Sequence, residues 1–161
     1  MLFMMANCPV SLLYMLDTTV FNALCDGTLS SECLIERRLI ATGIQESELA
    51  NTTDRARRNA LRITFEQAQT EWVPAAQFVF GMAGAGWGQG SWGLDDQTHR
   101  AMLARLKELE GAKRGSNQVA DVLIAETAMK HGAILVSGDH NLRVVASEFG
   151  VQVMSLNDFT R

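Results

Sequence analysis

Residues 117–139, NQVADVLIAETAMKHGAILVSGD, confine the chain to few folds. They read as a helix, a Gly turn and a strand, Ala133 to Val136, that is apolar throughout. A strand without polar alternation is covered on both faces, as in a parallel sheet. It stops at Ser137-Gly138-Asp139, which sets Asp139 at its carboxyl end, the edge where open α/β sheets bind ligands. At about 100° per residue, Asn117, Asp121, Ile124, Ala125 and Ala128 share one side of the helix, and Glu126, Thr127 and Lys130 the other. Asp121 therefore lies on the apolar face rather than the solvent face. Left unpartnered there, a carboxylate costs several kcal/mol or takes up a proton. It needs a partner, and a cation is the obvious one.

A second apolar run, Ser11 to Leu16, ends in Asp17. Read alone, Asp17 is equally a helix cap or a turn residue, with Thr18 and Thr19 able to cap a helix that begins near Val20. Ser30 or Ser31 opens a helix containing Glu32, Leu34, Ile35 and Arg38; Leu39 to Thr42 is a short strand broken by Gly43. The next helix carries Gln45, Glu46, Glu48 and Leu49. Glu46 and Glu48 are two apart, so only one of them can face a common site.

Asp54 opens a long helix to about Gln69 with a stripe of Ala56, Ala60, Leu61, Ile63, Phe65 and Ala68. Arg55, Arg57, Arg58 and Arg62 lie mostly off the stripe. They make either a solvated face or a basic wall beside a nucleic-acid groove. A short strand is expected within Trp72 to Val79, placed at an edge or in a loop by Pro74. Phe80 to Gly93, FGMAGAGWGQGSWG, has six glycines and two tryptophans but no phosphate-loop signature. It reads as an irregular surface loop, with Trp87 and Trp92 packed back on the domain or set against a partner or a base. Asp95 caps a helix whose core face is Met102, Leu103, Leu106 and Leu109; Gly111 to Gly115 is a basic linker, and Val151 to Met154 form a last strand. Strands alternating with helices give an α/β domain with a mainly parallel sheet.

The net charge of -4 leaves no global basic field, so any nucleic-acid contact needs a local patch. Three cysteines without a CxxC pair and three scattered histidines argue against a zinc site and for a reduced, cytoplasmic setting. The apolar N-terminus has no basic start and is broken by Asn7 and Pro9. It reads as a short tail into the first strand, not as a signal peptide or membrane span.

Asp17 and Asp139 end buried strands on the same sheet edge. The helix of Asp121 begins at that edge too, because right-handed crossovers start where the previous strand ends. Three carboxylates therefore converge without any assumption of family. Crowded acids raise one another's pKa values, and a hard divalent ion with oxygen ligands, Mg²⁺ or Mn²⁺, removes the repulsion. Such sites suit phosphodiester hydrolysis, readying a water and steadying the leaving oxygen.

Leu16 to Val20 (LDTTV), Glu48-Leu49, Asp121 to Ala128 (DVLIAETA) and Leu135 to Asp139 (LVSGD) together resemble a PIN domain, in order and spacing most like the VapC-type ribonuclease toxins. The resemblance runs from about residue 11 to 156 and implies one PIN-like domain across 1–161. It implies a three-layer α/β/α fold, with a central, mainly parallel sheet of four to five strands. The activity it implies is that of a metal-dependent endoribonuclease acting on RNA, with catalytic and metal-binding acids Asp17, Glu48, Asp121 and Asp139. Thr19, Asn117 and Ser137 would support the site, Asn117 being equally a helix cap. Arg55, Arg58, Arg62 and Arg143 are candidates for RNA phosphate contact, with Arg57, Lys113 and Arg114 beside them. A cognate antitoxin and a homodimer are further expectations of the resemblance. The Gly/Trp loop and the helix after it make the chain longer than a compact toxin. A PIN nuclease of RNA processing outside a toxin system, or a non-catalytic PIN-fold binding module, is the alternative. A dehalogenase-type phosphatase would need a second Asp where Thr19 stands.

Overall fold

The structure, a computed structural model, describes residues 11–77, 79, 81–86, 88, 90, 96–111 and 117–161. Five strands form one sheet in the order β3-β2-β1-β4-β5: β1 Leu13–Leu16, β2 Arg38–Ala41, β3 Glu71–Trp72, β4 Ile134–Val136 and β5 Val153–Met154. Every pairing is parallel, which places all five carboxyl ends on one edge. The helices among the described residues are α1 Thr18–Cys25, α2 Gly43–Ala50, α3 Arg55–Gln67, α4 Asp96–Glu110, α5 Gln118–His131, α6 His140–Glu148 and α7 Leu156–Phe159. None is long and apolar enough to cross a membrane.

The period-2 alternation of the strands sorts two cores. Met15, Ile40 and Leu135 point to one face, where they meet Met102 and Leu106 of α4, Leu123 and Ile124 of α5, and Val145 of α6. Tyr14, Leu16, Leu39, Ala41, Ile134 and Val136 point to the other, against Phe21 of α1, Leu61 of α3 and Phe159 of α7. Burial on both faces explains why β1 and β4 carry no polar residue, and it yields the expected three layers. Arg37 fastens α7 to this second face. Its guanidinium lies 4.3 Å from the Phe159 ring centre and donates to the Phe159 carbonyl at 2.5 Å.

Five sequence expectations are corrected. The segment after Ser30 is a single 3-10 turn, Ser31–Leu34; Glu36 takes a positive φ of 61° and the chain turns into β2 at Arg38, leaving Ile35 66% exposed. In α3 only Leu61 is buried. Ala56 and Ala60 face solvent, and the inward side runs through Arg57, Arg58, Leu61, Phe65 and Ala68, because α3 packs on α1 and α2 rather than on the sheet. Leu109 of α4 is exposed.

The fourth concerns α5, which has no solvent face at Glu126 and Thr127. Both are buried under α4 and the 73–86 segment. Glu126 takes His99 Nδ1 at 2.7 Å and the Gln77 amide at 3.1 Å. Thr127 donates to the Leu123 carbonyl and accepts from the Ala76 N–H. Buried polar groups survive there because each has a partner.

The early part of the Gly-rich stretch is also not a free surface loop. Gly84 and Ala85 are buried, and Val79 and Ala85 share a backbone hydrogen bond of 2.9 Å. Trp87, Trp92, Asp95, Lys113, Arg114 and the N-terminal tail lie outside the described residues.

Candidate active site

β1 and β4 are adjacent and in register, Leu16 opposite Val136, so Asp17 leaves the sheet beside Ser137. Asp17 is 2% exposed. Its Oδ2 accepts from the Thr19 hydroxyl at 2.7 Å and from the Ser137 hydroxyl at 2.7 Å. Burial pushes its pKa up, and these two hydroxyls, with the amides of Thr18 and Thr19, push it back down. The Thr19 and Ser137 hydroxyls accept in turn from the Gly138 and Asp139 N–H groups, at 2.8 and 3.0 Å. The turn after β4 is thus wired to the turn after β1.

Asp139 stands at the N-cap of α6, where its Oδ1 accepts from the Leu142 N–H at 3.1 Å. Arg143, one turn on, donates to the Ser137 carbonyl at 2.6 Å and braces the same turn.

Glu48 comes from α2. A capping box starts this helix: the Thr42 hydroxyl accepts from the Ile44 N–H, and Gln45 Oε1 accepts from the Thr42 N–H at 3.0 Å. That phase leaves Glu46 exposed and turns Glu48 inward, where the Thr18 hydroxyl donates to its carboxylate. Burial raises the pKa of Glu48, the Thr18 bond lowers it, and the nearby charge of Asp17 raises it again.

Asp121 lies in the first turn of α5. Its pKa is pushed up to about 8, first by burial and then by the charges of Asp17, Glu48, Asp139 and Glu110. The four sequence-selected acids are therefore close enough to feel one another at Asp121. Asn117 occupies the N-cap position of α5, exposed and without a side-chain capping bond.

Among the arginines, Arg58 donates to the Thr52 carbonyl at 2.8 Å and Arg62 pairs with Glu66 at 2.6 Å. Both line a cleft of about 230 Å³ between α2 and α3, with Leu49 and Phe65. Arg57 is held by Asp26 and Asn22, and Arg55 is exposed.

Three residues absent from the sequence reading of the site join it here. Thr18 holds Glu48. Gln45 ties α2 to β1 through the Leu16 carbonyl at 2.9 Å. Glu110, at the end of α4, accepts from the Gln118 amide at 2.9 Å and adds its charge to Asp121. The Thr42-x-x-Gln45 spacing was a signal for the second; the first and third depend on contacts across the fold.

Among the described residues, no three His, Cys, Asp or Glu side chains stand as a ready-made metal cage. Mg²⁺ does not require one. It keeps most of its waters and takes one or two carboxylates directly. An oxygen-only donor set in which burial and repulsion disfavour ionisation fits such an ion.

No family model and no curated protein matches the sequence. Solved structures do. The structure of VapBC2 from Rickettsia felis bound to a DNA fragment from their promoter aligns over 89% of this chain and 98% of that one, at 14% identity and a TM-score of 0.50. VapBC-5 from Mycobacterium tuberculosis aligns over 89% and 96% at 21% identity and 0.45, and FitAcB from Neisseria gonorrhoeae over 90% and 98% at 18% and 0.40. The likeness to the first of these, with the all-parallel five-stranded sheet, shows the fold alone, and that fold is PIN-like.

Proposed function

We propose that the chain is a divalent-metal-dependent endoribonuclease, the toxin of a toxin–antitoxin pair. The observation that carries this is the meeting of Asp17, Glu48, Asp121 and Asp139 at one sheet edge, felt most strongly at Asp121. Asp17, Asp121, Asp139 and Glu48 would hold Mg²⁺ or Mn²⁺. When bound, such an ion readies a water for attack on a phosphodiester and stabilises the departing oxygen. The chain's own residues prepare the site. Thr19 and Ser137 fix the Asp17 carboxylate, and Thr18 fixes that of Glu48. Burial and the neighbouring acids favour a proton on Asp121 near neutrality, and a bound cation would favour its release.

Arg55, Arg58 and Arg62 on α3 are proposed to meet RNA phosphates. Arg143 is better placed to hold the Ser137 turn. The VapBC2 structure holds a DNA fragment from the promoter, and the fold shared with it supports an antitoxin partner for this chain too. Such a partner would insert a basic side chain among the four acids. A homodimer is a further expectation.

The test is cleavage of single-stranded RNA with Mg²⁺ or Mn²⁺, comparing wild type with Asp17→Asn. Equal activity would remove the assignment. Absence of Mn²⁺ binding by calorimetry would favour a non-catalytic module instead, and lack of a small antitoxin gene beside this one would favour a role outside toxin systems.

A further inference from the structure

Gln45 is fully buried one helical turn before Glu48. Its side chain works in two directions. Oε1 accepts from the Thr42 N–H at 3.0 Å and from the Thr42 hydroxyl at 2.6 Å, which closes the start of α2. Nε2 donates to the Leu16 carbonyl at 2.9 Å and rests 3.3 Å from Met15 Sδ. The cap alone does not demand glutamine, since a glutamate closes a capping box equally well. An amide both accepts from the cap and donates to a carbonyl, which an ionised carboxylate cannot do.

The carbonyl it reaches is significant. The β1–β2 register runs to Met15 opposite Ile40, and Gln45 takes the next carbonyl along β1. That carbonyl belongs to the residue immediately before Asp17. A closed path therefore links the two acids. It runs from Asp17 back to Leu16, across to Gln45, one turn along α2 to Glu48, and home through the Thr18 hydroxyl. Positions three apart share a helix face, so a shift of Gln45 is transmitted to Glu48.

We infer that Gln45 is a positioning residue of the proposed nuclease, one that fixes Glu48 relative to Asp17 by tying the first turn of α2 to the carboxyl end of β1. The inference rests on the nuclease reading above. Its consequence is steep, because misplacing a reacting group by about 1 Å costs on the order of a hundredfold in rate.

Two variants separate the tie from the cap. Gln45→Glu keeps the cap acceptor but, when ionised, cannot donate to Leu16. Gln45→Met fills the volume and removes both bonds. The full chain carrying each is assayed for steady-state cleavage of single-stranded RNA across pH, for Mn²⁺ affinity by calorimetry, and for amide exchange along residues 43–50.

Both variants are expected to lose about ten- to a hundredfold in kcat, with KM for RNA changed by less than about threefold. The Gln45→Glu loss should shrink toward acid pH, where the neutral carboxyl donates again, while the Gln45→Met loss stays flat. Wild-type kcat in folded Gln45→Met overturns the inference. So does a loss that follows thermal stability alone in both variants. If wild type neither binds Mn²⁺ nor cuts RNA, the nuclease reading falls and exchange decides the tie. Faster exchange confined to α2 in Gln45→Glu upholds it, and unchanged exchange overturns it.

Discussion

The Thr18 hydroxyl donates to the Glu48 carboxylate across thirty residues of sequence. It joins the first turn of α1 to α2 and fixes an acid that would otherwise swing on a flexible stem. Its neighbour Thr19 performs the same service for Asp17. Two adjacent threonines thus hold two different carboxylates, because consecutive side chains at a helix start point in different directions.

Replacing Thr18 by valine keeps the branched shape and deletes the hydroxyl. Glu48 then loses its partner while staying largely buried. The expected result is a tenfold or greater fall in cleavage, roughly the effect of losing a group that orients a ligand, with the fold retained by circular dichroism. Glu46→Gln, on the exposed side of the same helix, should leave cleavage unchanged. Equal effects of the two would show that the Thr18 contact does not orient Glu48.

Asp121→Asn should separate stability from activity. The aspartate is disfavoured by burial and by four neighbouring acids. An amide of the same shape removes that repulsion. In chelator the variant should gain about 1–2 kcal/mol, the usual yield when a site held for function is relaxed. For a chain of this length that is several degrees in Tm. The same variant should lose about a hundredfold or more in cleavage and show no Tm response to Mn²⁺. A variant destabilised in chelator would mean that the carboxylate has a compensating partner in the metal-free protein.

The acids also set a pH dependence with a definite sign. Unfolded Asp121 titrates near 3.8 and folded Asp121 near 8. Between those values the folded state holds a proton that the unfolded state has released, so stability falls as pH rises. Asp17 and Glu48 shift the same way. Asp26 and Glu148, bound by Arg57 and Arg105, shift down, and their contribution is lost only in more acid solution. In chelator, Tm should therefore decline from about pH 5 to about pH 8. Millimolar Mn²⁺ should flatten or reverse that decline, because the ion binds only the folded, deprotonated acids. Identical slopes in scanning fluorimetry with and without Mn²⁺ would count against a metal site.

These expectations show how much of the molecule was legible in the sequence. The unbroken apolar runs before Asp17 and Asp139 announced buried parallel strands, and β1 and β4 lie side by side. The helical phase of Asp121 brought it to the same edge, as its coupling to Asp17 and Asp139 requires. That only one of Glu46 and Glu48 could face the site was readable from their spacing of two; the choice of Glu48 came from the resemblance carried by Glu48-Leu49, and the structure turns Glu48 inward.

The far side of α5 was not. Glu126 and Thr127 look like surface residues, and only tertiary partners, His99, Gln77 and Ala76, make their burial tolerable. The packing face of α3 misled for the same reason. An arginine that finds Asp26 or a carbonyl can sit on an inner face that composition alone assigns to solvent.

Gly84 offers the last test, because it places part of the Gly-rich stretch against the site's scaffold. It holds a φ of +86°, and a Cβ added there would lie 2.2 Å from the Gly43 carbonyl carbon and 2.3 Å from both the Gly43 oxygen and the Ile44 nitrogen. Backbone faces backbone, so no side chain can swing away to make room. Gly43 opens α2 two residues before Gln45 and five before Glu48. Gly84→Ala must therefore move the start of the helix that delivers Glu48. Gly81 also has a positive φ, +78°, but nothing lies within 4 Å of its would-be Cβ. Gly81→Ala should cost only the left-handed backbone strain, about 1–2 kcal/mol. Gly84→Ala should cost that and the clash, about 3–5 kcal/mol together, at the exceptional end for one substitution. Chemical denaturation of the two variants, with cleavage measured on whatever remains folded at low temperature, distinguishes them. Equal losses from both would mean that backbone conformation, not the contact with α2, explains the glycine at position 84.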